Sequence, residues 1–141
     1  MTTEGIIGLY LETHDYAASA ALWASLGFEA VFETDHGSGQ WVHPAGGPYV
    51  FIAEQAAGGA LTTHPILGVA DADAFVAAAA AGASGAAALR YARPFTPQHW
   101  GVTEALLTDP DGREVSLQAP LPAGTDGPDA DVHHADKYGH Q

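Results

Sequence analysis

Short apolar runs punctuated by glycine, proline and aspartate set the plan of the chain. Ile6, Ile7, Leu9 and Leu11, with Gly8 and Tyr10 between them, predict a strand. Asp15 is placed to cap a helix over about 16–26, whose Ser19, Leu22, Trp23 and Leu26 share one face at i, i+3, i+4 and i+7. Gly27 stands where a helix-ending glycine belongs. Strands follow over 28–32, 40–43 and 49–52, separated by Gly37-Ser38-Gly39 and by Pro44–Gly47. A linker over 55–61, with Gly58-Gly59, then separates two halves.

The second half restarts the pattern. A strand is predicted over 64–69, and Asp71 or Asp73 caps a helix to about Ala81, ended by Gly82. Residues 86–91 read as a strand, 93–101 as an irregular loop with two prolines, and 102–108 as a strand. Asp109-Pro110-Asp111-Gly112 is a strong turn signal, and the last strand runs over 114–119. From Pro120 the composition shifts to Pro, Gly, Asp and His, which predicts a flexible tail over 120–141. The halves superimpose as sequence. Asp15 lies seven residues after Gly8 and Asp71 seven after His64, so 5–54 and 62–119 read as two βαβββ modules of one α+β domain.

Composition narrows the function classes. With 47% hydrophobic residues in 141, a sizeable core can be buried. Seventeen acids against four bases give a formal charge of −13, without a basic cluster, so nucleic acid and anionic membranes are unsuitable partners. The absence of cysteine excludes disulfides, thiolate zinc sites and cysteine nucleophiles. No P-loop, GxSxG or HExxH pattern occurs. The opening MTTEGIIGLYLE lacks a basic n-region, so no signal peptide is expected and a cytoplasmic location is. His133, His134 and His140 in the tail have no scaffold around them and predict only adventitious metal affinity.

Three passages carry a family resemblance: the strand–Asp15–helix–Leu26-Gly27-Phe28 unit, His64-Pro65-Ile66-Leu67-Gly68-Val69 with Asp71, and Trp100-Gly101-Val102 leading to Thr108-Asp109-Pro110-Asp111-Gly112. Over about residues 5–119 the chain resembles the vicinal oxygen chelate superfamily, which includes glyoxalase I, extradiol dioxygenases, and fosfomycin and bleomycin resistance proteins. The resemblance implies paired βαβββ modules in a curved, barrel-like mixed sheet with a ligand cup, and a homodimer. Metal enzymes of the family hold their ion from four strand positions, which fall here on Gly8, Phe51, His64 and Ser116. Glycine and phenylalanine have no ligating side chain, and serine is a poor ligand. One good donor cannot hold a catalytic ion, which needs about three protein ligands.

The expectation is therefore a small-molecule binding protein without metal or other cofactor and without catalytic residues. It would sequester a drug in the manner of bleomycin resistance proteins, its ligand hydrophobic or aromatic and suited by the −13 charge to be cationic. The candidate ligand-binding residues are Trp41, Tyr49, Phe51, His64, Phe95, His99, Trp100, Glu104 and Ser116. His64 reads either as a ligand contact or as a strand-end histidine bonded to backbone. The aromatic residues read either as cup lining or as core, and Glu104 either as an inward carboxylate or as a solvated strand residue. Arg93 reads as a salt-bridge partner or as an anchor for an anion, and Glu12 as part of the solvated helix start. Two alternatives stay open. One is a divalent-metal glyoxalase or dioxygenase with a displaced site such as His64, His99 and Glu104. The other is a metal-free cyclase or isomerase using His64 or Glu104 as acid or base.

Overall fold

The computed structural model describes residues 2–82 and 89–121. The predicted tail beyond residue 121, with its three histidines, and residues 86–88 of a predicted strand lie outside the described residues. The elements follow in the order β1 (Ile6–Thr13), α1 (Tyr16–Ser25), β2 (Glu29–Glu33), β3 (Ser38–Val42), β4 (Tyr49–Glu54), β5 (Thr63–Gly68), α2 (Ala72–Gly82), β6 (Tyr91–Pro97), β7 (Val102–Thr108) and β8 (Glu114–Pro120). This is an α+β chain in which βαβββ occurs twice. Among the described residues no helix is long and apolar enough to cross a membrane. The chain divides into two compact units, an N-terminal one over 7–65 and a C-terminal one that takes up the described residues from Ile66 onward and the few before Ile7.

In the N-terminal unit the strand order is β2-β3-β4-β1. β1 and β4 run parallel in a register that pairs Gly8 with Tyr49 and Tyr10 with Phe51. Side chains alternate across a strand, so one face carries Leu11, Val50 and Ile52, and the other carries Gly8, Tyr10, Glu12, Tyr49 and Phe51. Helix α1 covers the first face. Ala20, Trp41, Val50 and Ile52 are buried there, with Leu11, Tyr16, Trp23 and Phe28 packed against them. Asp15 caps the helix as its position in the sequence predicts, accepting a hydrogen bond from the Ala18 N–H at 3.1 Å. Gly27 takes φ +98, which a side chain would resist, and the chain turns there into β2.

The inward side of α1 differs from the predicted one. Leu22 and Leu26 are more than half exposed, and the packed stripe is Tyr16, Ala20 and Trp23. Ser19 turns to Thr13, their hydroxyl oxygens 2.6 Å apart. The large indole and phenol sides set the rotation of this alanine-rich helix, and the leucines follow outward.

In the C-terminal unit the order is β5-β8-β7-β6. β5 and β8 are parallel, pairing Ile66 with Ser116 and Leu67 with Leu117. Helix α2 covers the face formed by Leu67, Val69, Ala105, Leu117 and Ala119, and inserts Ala72 and Phe75. Asp71 is its cap, its carboxylate accepting from the Ala74 N–H at 2.9 Å. The Asp109–Gly112 turn forms as predicted. The Asp109 carboxylate accepts from the N–H groups of Asp111 and Arg113, and the Arg113 side chain holds it below the usual carboxylate range.

The predicted strand ending at Tyr91 and the predicted loop from Arg93 both need correction. Leu89 and Arg90 are irregular, and β6 occupies 91–97 despite Pro94 and Pro97. Proline is tolerated because β6 is the outer strand of this unit's sheet, where not every N–H has a ladder partner. Its pairing with β7 shifts register between Tyr91 and Arg93 and again between Arg93 and Thr96.

Candidate functional site

The helix-free face of the N-terminal unit is a row of rings. Tyr10 on β1 stacks on His64 of β5, centroids 4.8 Å apart and planes 28° from parallel. On its other side Tyr10 stacks on Phe51 of β4 at 6.3 Å and 14°. Phe51 in turn meets Phe32 of β2 at 6.0 Å. Strand alternation puts Tyr10 and Phe51 at partner positions on the same face, and the parallel register makes them neighbours. His64 is only 7% exposed, so the imidazole is an inward-facing member of this row. Offset or near-parallel rings at such separations attract by about 0.5–1.5 kcal/mol per pair beyond the area they bury.

Tyr49 completes the row at Gly8. A Cβ built on Gly8 would lie 2.7 Å from Cε2 of Tyr49 and nearer still to its Cζ, so the phenol ring lies where a side chain at position 8 would stand. Replacing Gly8 with alanine is expected to cost about 1–3 kcal/mol through overpacking. Urea unfolding measures this, and an unchanged midpoint would show that Tyr49 moves aside freely.

Other candidates separate from this face. Trp41 belongs to the core under α1, 8% exposed, its indole N–H donating to the Tyr16 hydroxyl at 3.2 Å. Burial, with the bond that Tyr16 donates to Glu33, pushes the Tyr16 phenol up to about 12. Of the two readings open to Trp41 from the sequence, cup lining or core, its packing is that of the core. Strand alternation places it opposite Gln40, on the helix side. Phe95 also stands with a core. It packs on the core of the C-terminal unit, edge-on to Phe75 at 6.4 Å, because the shifted register of β6 turns it towards α2.

On the helix-free face of the C-terminal unit the carboxylate of Glu104 is a hub. It accepts from Arg93 Nη2 at 2.6 Å, from the Ser116 hydroxyl at 3.0 Å and from the Gln118 amide at 3.1 Å. Glu104 and Ser116, both candidates from the sequence, are therefore bonded to each other, across the β7–β8 pairing of Glu104 with Gln118 and Leu106 with Ser116. Arg93 is the salt-bridge partner. His99 and Trp100 sit in the turn between β6 and β7, their rings edge-to-face at 4.9 Å.

Sequence reasoning missed Tyr10, Phe32, Glu12 and Gln118 as members of these groups. For Tyr10 a signal existed, since it lies two residues after Gly8 and so on the same strand face. Phe32 and Gln118 could be placed only with the register known.

Of the four positions at which the resemblance implies metal ligands, three lack a strong donor. Position 8 has no side chain and its space holds a tyrosine ring. Phe51 offers only an apolar ring. The Ser116 hydroxyl donates to a carboxylate already paired with arginine. Among the described residues no three or more of His, Asp and Glu group closely enough to hold an ion.

No protein-family model and no curated protein sequence matches the chain. Solved structures do. A glyoxalase/bleomycin resistance protein/dioxygenase superfamily member from Vibrio splendidus 12B01 matches with a TM-score of 0.61 at 15% identity, over 84% of this chain and 99% of that one. The methylmalonyl-CoA epimerase of Streptomyces coelicolor matches with a TM-score of 0.61 at 19% identity, over 86% of this chain and 100% of that one. The Mn(II)-bound glyoxalase of Novosphingobium aromaticivorans matches with 0.57 at 18% identity, over 81% of this chain and 38% of that one. At these identities what is shared is the arrangement of strands and helices. The chain has the fold of the glyoxalase/bleomycin resistance protein/dioxygenase superfamily, the vicinal oxygen chelate fold.

Proposed function

We propose that the protein is a binding protein for a planar, preferably cationic small molecule, works without a metal ion, and sequesters a drug as bleomycin resistance proteins do. The observation that carries this reading is the row of Phe32, Phe51, Tyr10 and His64 on a face that no helix of its unit covers. With the faces of Tyr10 turned to its neighbours, the row offers a planar ligand ring edges, which favour edge-to-face contact, and an apolar strip to bury against. Burying about 300 Å2 of apolar ligand surface would contribute on the order of 7 kcal/mol before association costs. The formal charge of −13 speeds capture of a cation and selects against anions, an effect that salt weakens. A homodimer in the cytoplasm is part of the same proposal. An acid–base role for Glu104 fits less well, because three donors already occupy its oxygens.

The test is a thermal-shift and fluorescence screen of planar natural products, each run with chelator and with added divalent metal. A ligand at 100 times its Kd should stabilise the protein by about 2.7 kcal/mol, a shift of several degrees. Replacing Tyr10 with alanine should weaken binding roughly tenfold, the loss of about one ring contact. Binding that chelator abolishes and metal restores would replace this reading with that of a metal enzyme.

A further inference from the structure

We propose that Glu12 is a positioning residue that fixes the Tyr10–His64 stack from both sides. The functional meaning of that stack rests on the ligand reading above, whereas its geometry does not. The carboxylate divides its two oxygens. Oε2 accepts from the Tyr10 hydroxyl at 2.8 Å, and Oε1 accepts from the Thr62 N–H at 2.9 Å. The Glu12 N–H also donates to the Thr62 carbonyl at 3.0 Å. Backbone and side chain of one residue thus clamp Thr62, two residues before His64, while the same carboxylate holds the far end of the Tyr10 ring, two residues before Glu12.

The chemistry suits the task. A tyrosine ring turns about two side-chain bonds, and a bond at its hydroxyl end fixes the direction in which its face points. Thr62 belongs to the irregular segment that leads into β5, so without the clamp the imidazole would enter its strand from a less constrained start. An ionised carboxylate is an acceptor with no donor of its own, and it can serve an O–H and an N–H together. Alanine could do neither. Glutamine could keep the Thr62 bond with its oxygen and meet the Tyr10 oxygen with its N–H2.

The experiment is proton NMR of the His64 ring, whose protons lie against the face of Tyr10 and are displaced upfield by it, in the full chain without ligand. The Glu12→Ala variant should lose that displacement while its methyl spectrum stays dispersed. Glu12→Gln should largely restore it, which a contribution to stability alone would not produce. Tyr10→Phe, which keeps every apolar contact and the Thr62 clamp, should lose part of it. Unchanged His64 ring signals in both Glu12→Ala and Tyr10→Phe overturn the proposal. If Glu12→Ala does not fold, unchanged signals in Tyr10→Phe overturn it alone. Because no ligand is present, that failure would leave the ligand reading standing. A bound planar ligand that leaves the Tyr10 and His64 signals in place would instead sink the ligand reading and spare this one.

Discussion

Leu117→Ala is expected to cost about 2–5 kcal/mol, the largest effect of any single change considered for this protein. Leu117 is fully buried, at 0% exposure, in the middle of β8. It pairs with Ala105 on β7 and with Leu67 on β5, and α2 closes over the same cluster with Ala72 and Phe75. Ala105 opposite is already small, so no large neighbour stands there to collapse into the space left, and the cavity term adds to the lost transfer energy. Equilibrium urea unfolding at unchanged m-value reads the loss directly. Leu22→Ala serves as the control: that leucine lies 56% exposed on α1, and its removal should stay within about 0.5 kcal/mol. A cost below about 1 kcal/mol at Leu117 would mean that the two layers of the C-terminal unit are packed more loosely than described.

Glu104→Ala should follow, at roughly 3 kcal/mol. Its side chain is 13% exposed, and removing it takes a shared charged acceptor from three donors at once, among them the hydroxyl of Ser116, a residue 1% exposed. The reverse truncation is much milder. Arg93→Ala leaves the carboxylate bonded to Ser116 and Gln118, and the arginine side chain is 39% exposed, so water screens the pair and the cost should be under about 1 kcal/mol. The asymmetry between the two variants is the measurement. Equal losses would show that the ion pair, rather than the three-donor hub, stabilises this face. Glu104→Gln should fall between them, since an amide oxygen still accepts but the charge assistance is gone.

Much of the architecture was legible because local chemistry marks it. Asp15 and Asp71 each stand one step before a helix and cap it, and Asp109 to Gly112 can hardly do anything but turn. The spacing of those marks exposed the repeat, and the family resemblance carried by the same passages implied the fold. What failed were features settled by tertiary contact. Two prolines argue locally against a strand at 91–97, yet an outer strand tolerates them. The side of α1 that faces inward depends on Trp23 and Tyr16, which an apolar-moment reading weighs no more than Leu22 and Leu26. The candidate site was legible as residue types but not as neighbours. Tyr49, Phe51 and His64 share one ring-lined face, Glu104 and Ser116 share a hydrogen-bonded hub, and Trp41 and Phe95, for which cup lining and core packing were both open, stand with the cores of their units. Glu12 read as a solvated residue because its partner Thr62 lies 50 positions away.

The Tyr49 ring lying over Gly8 has a consequence for the mutational paths open to this protein. Placing a larger side chain such as histidine at position 8 is not one step. An imidazole introduced there meets the phenol, and a smaller residue at 49 alone leaves a gap with nothing to fill it. Each change is destabilising without the other, so the two positions are coupled, and a larger side chain at position 8 requires a smaller one at 49.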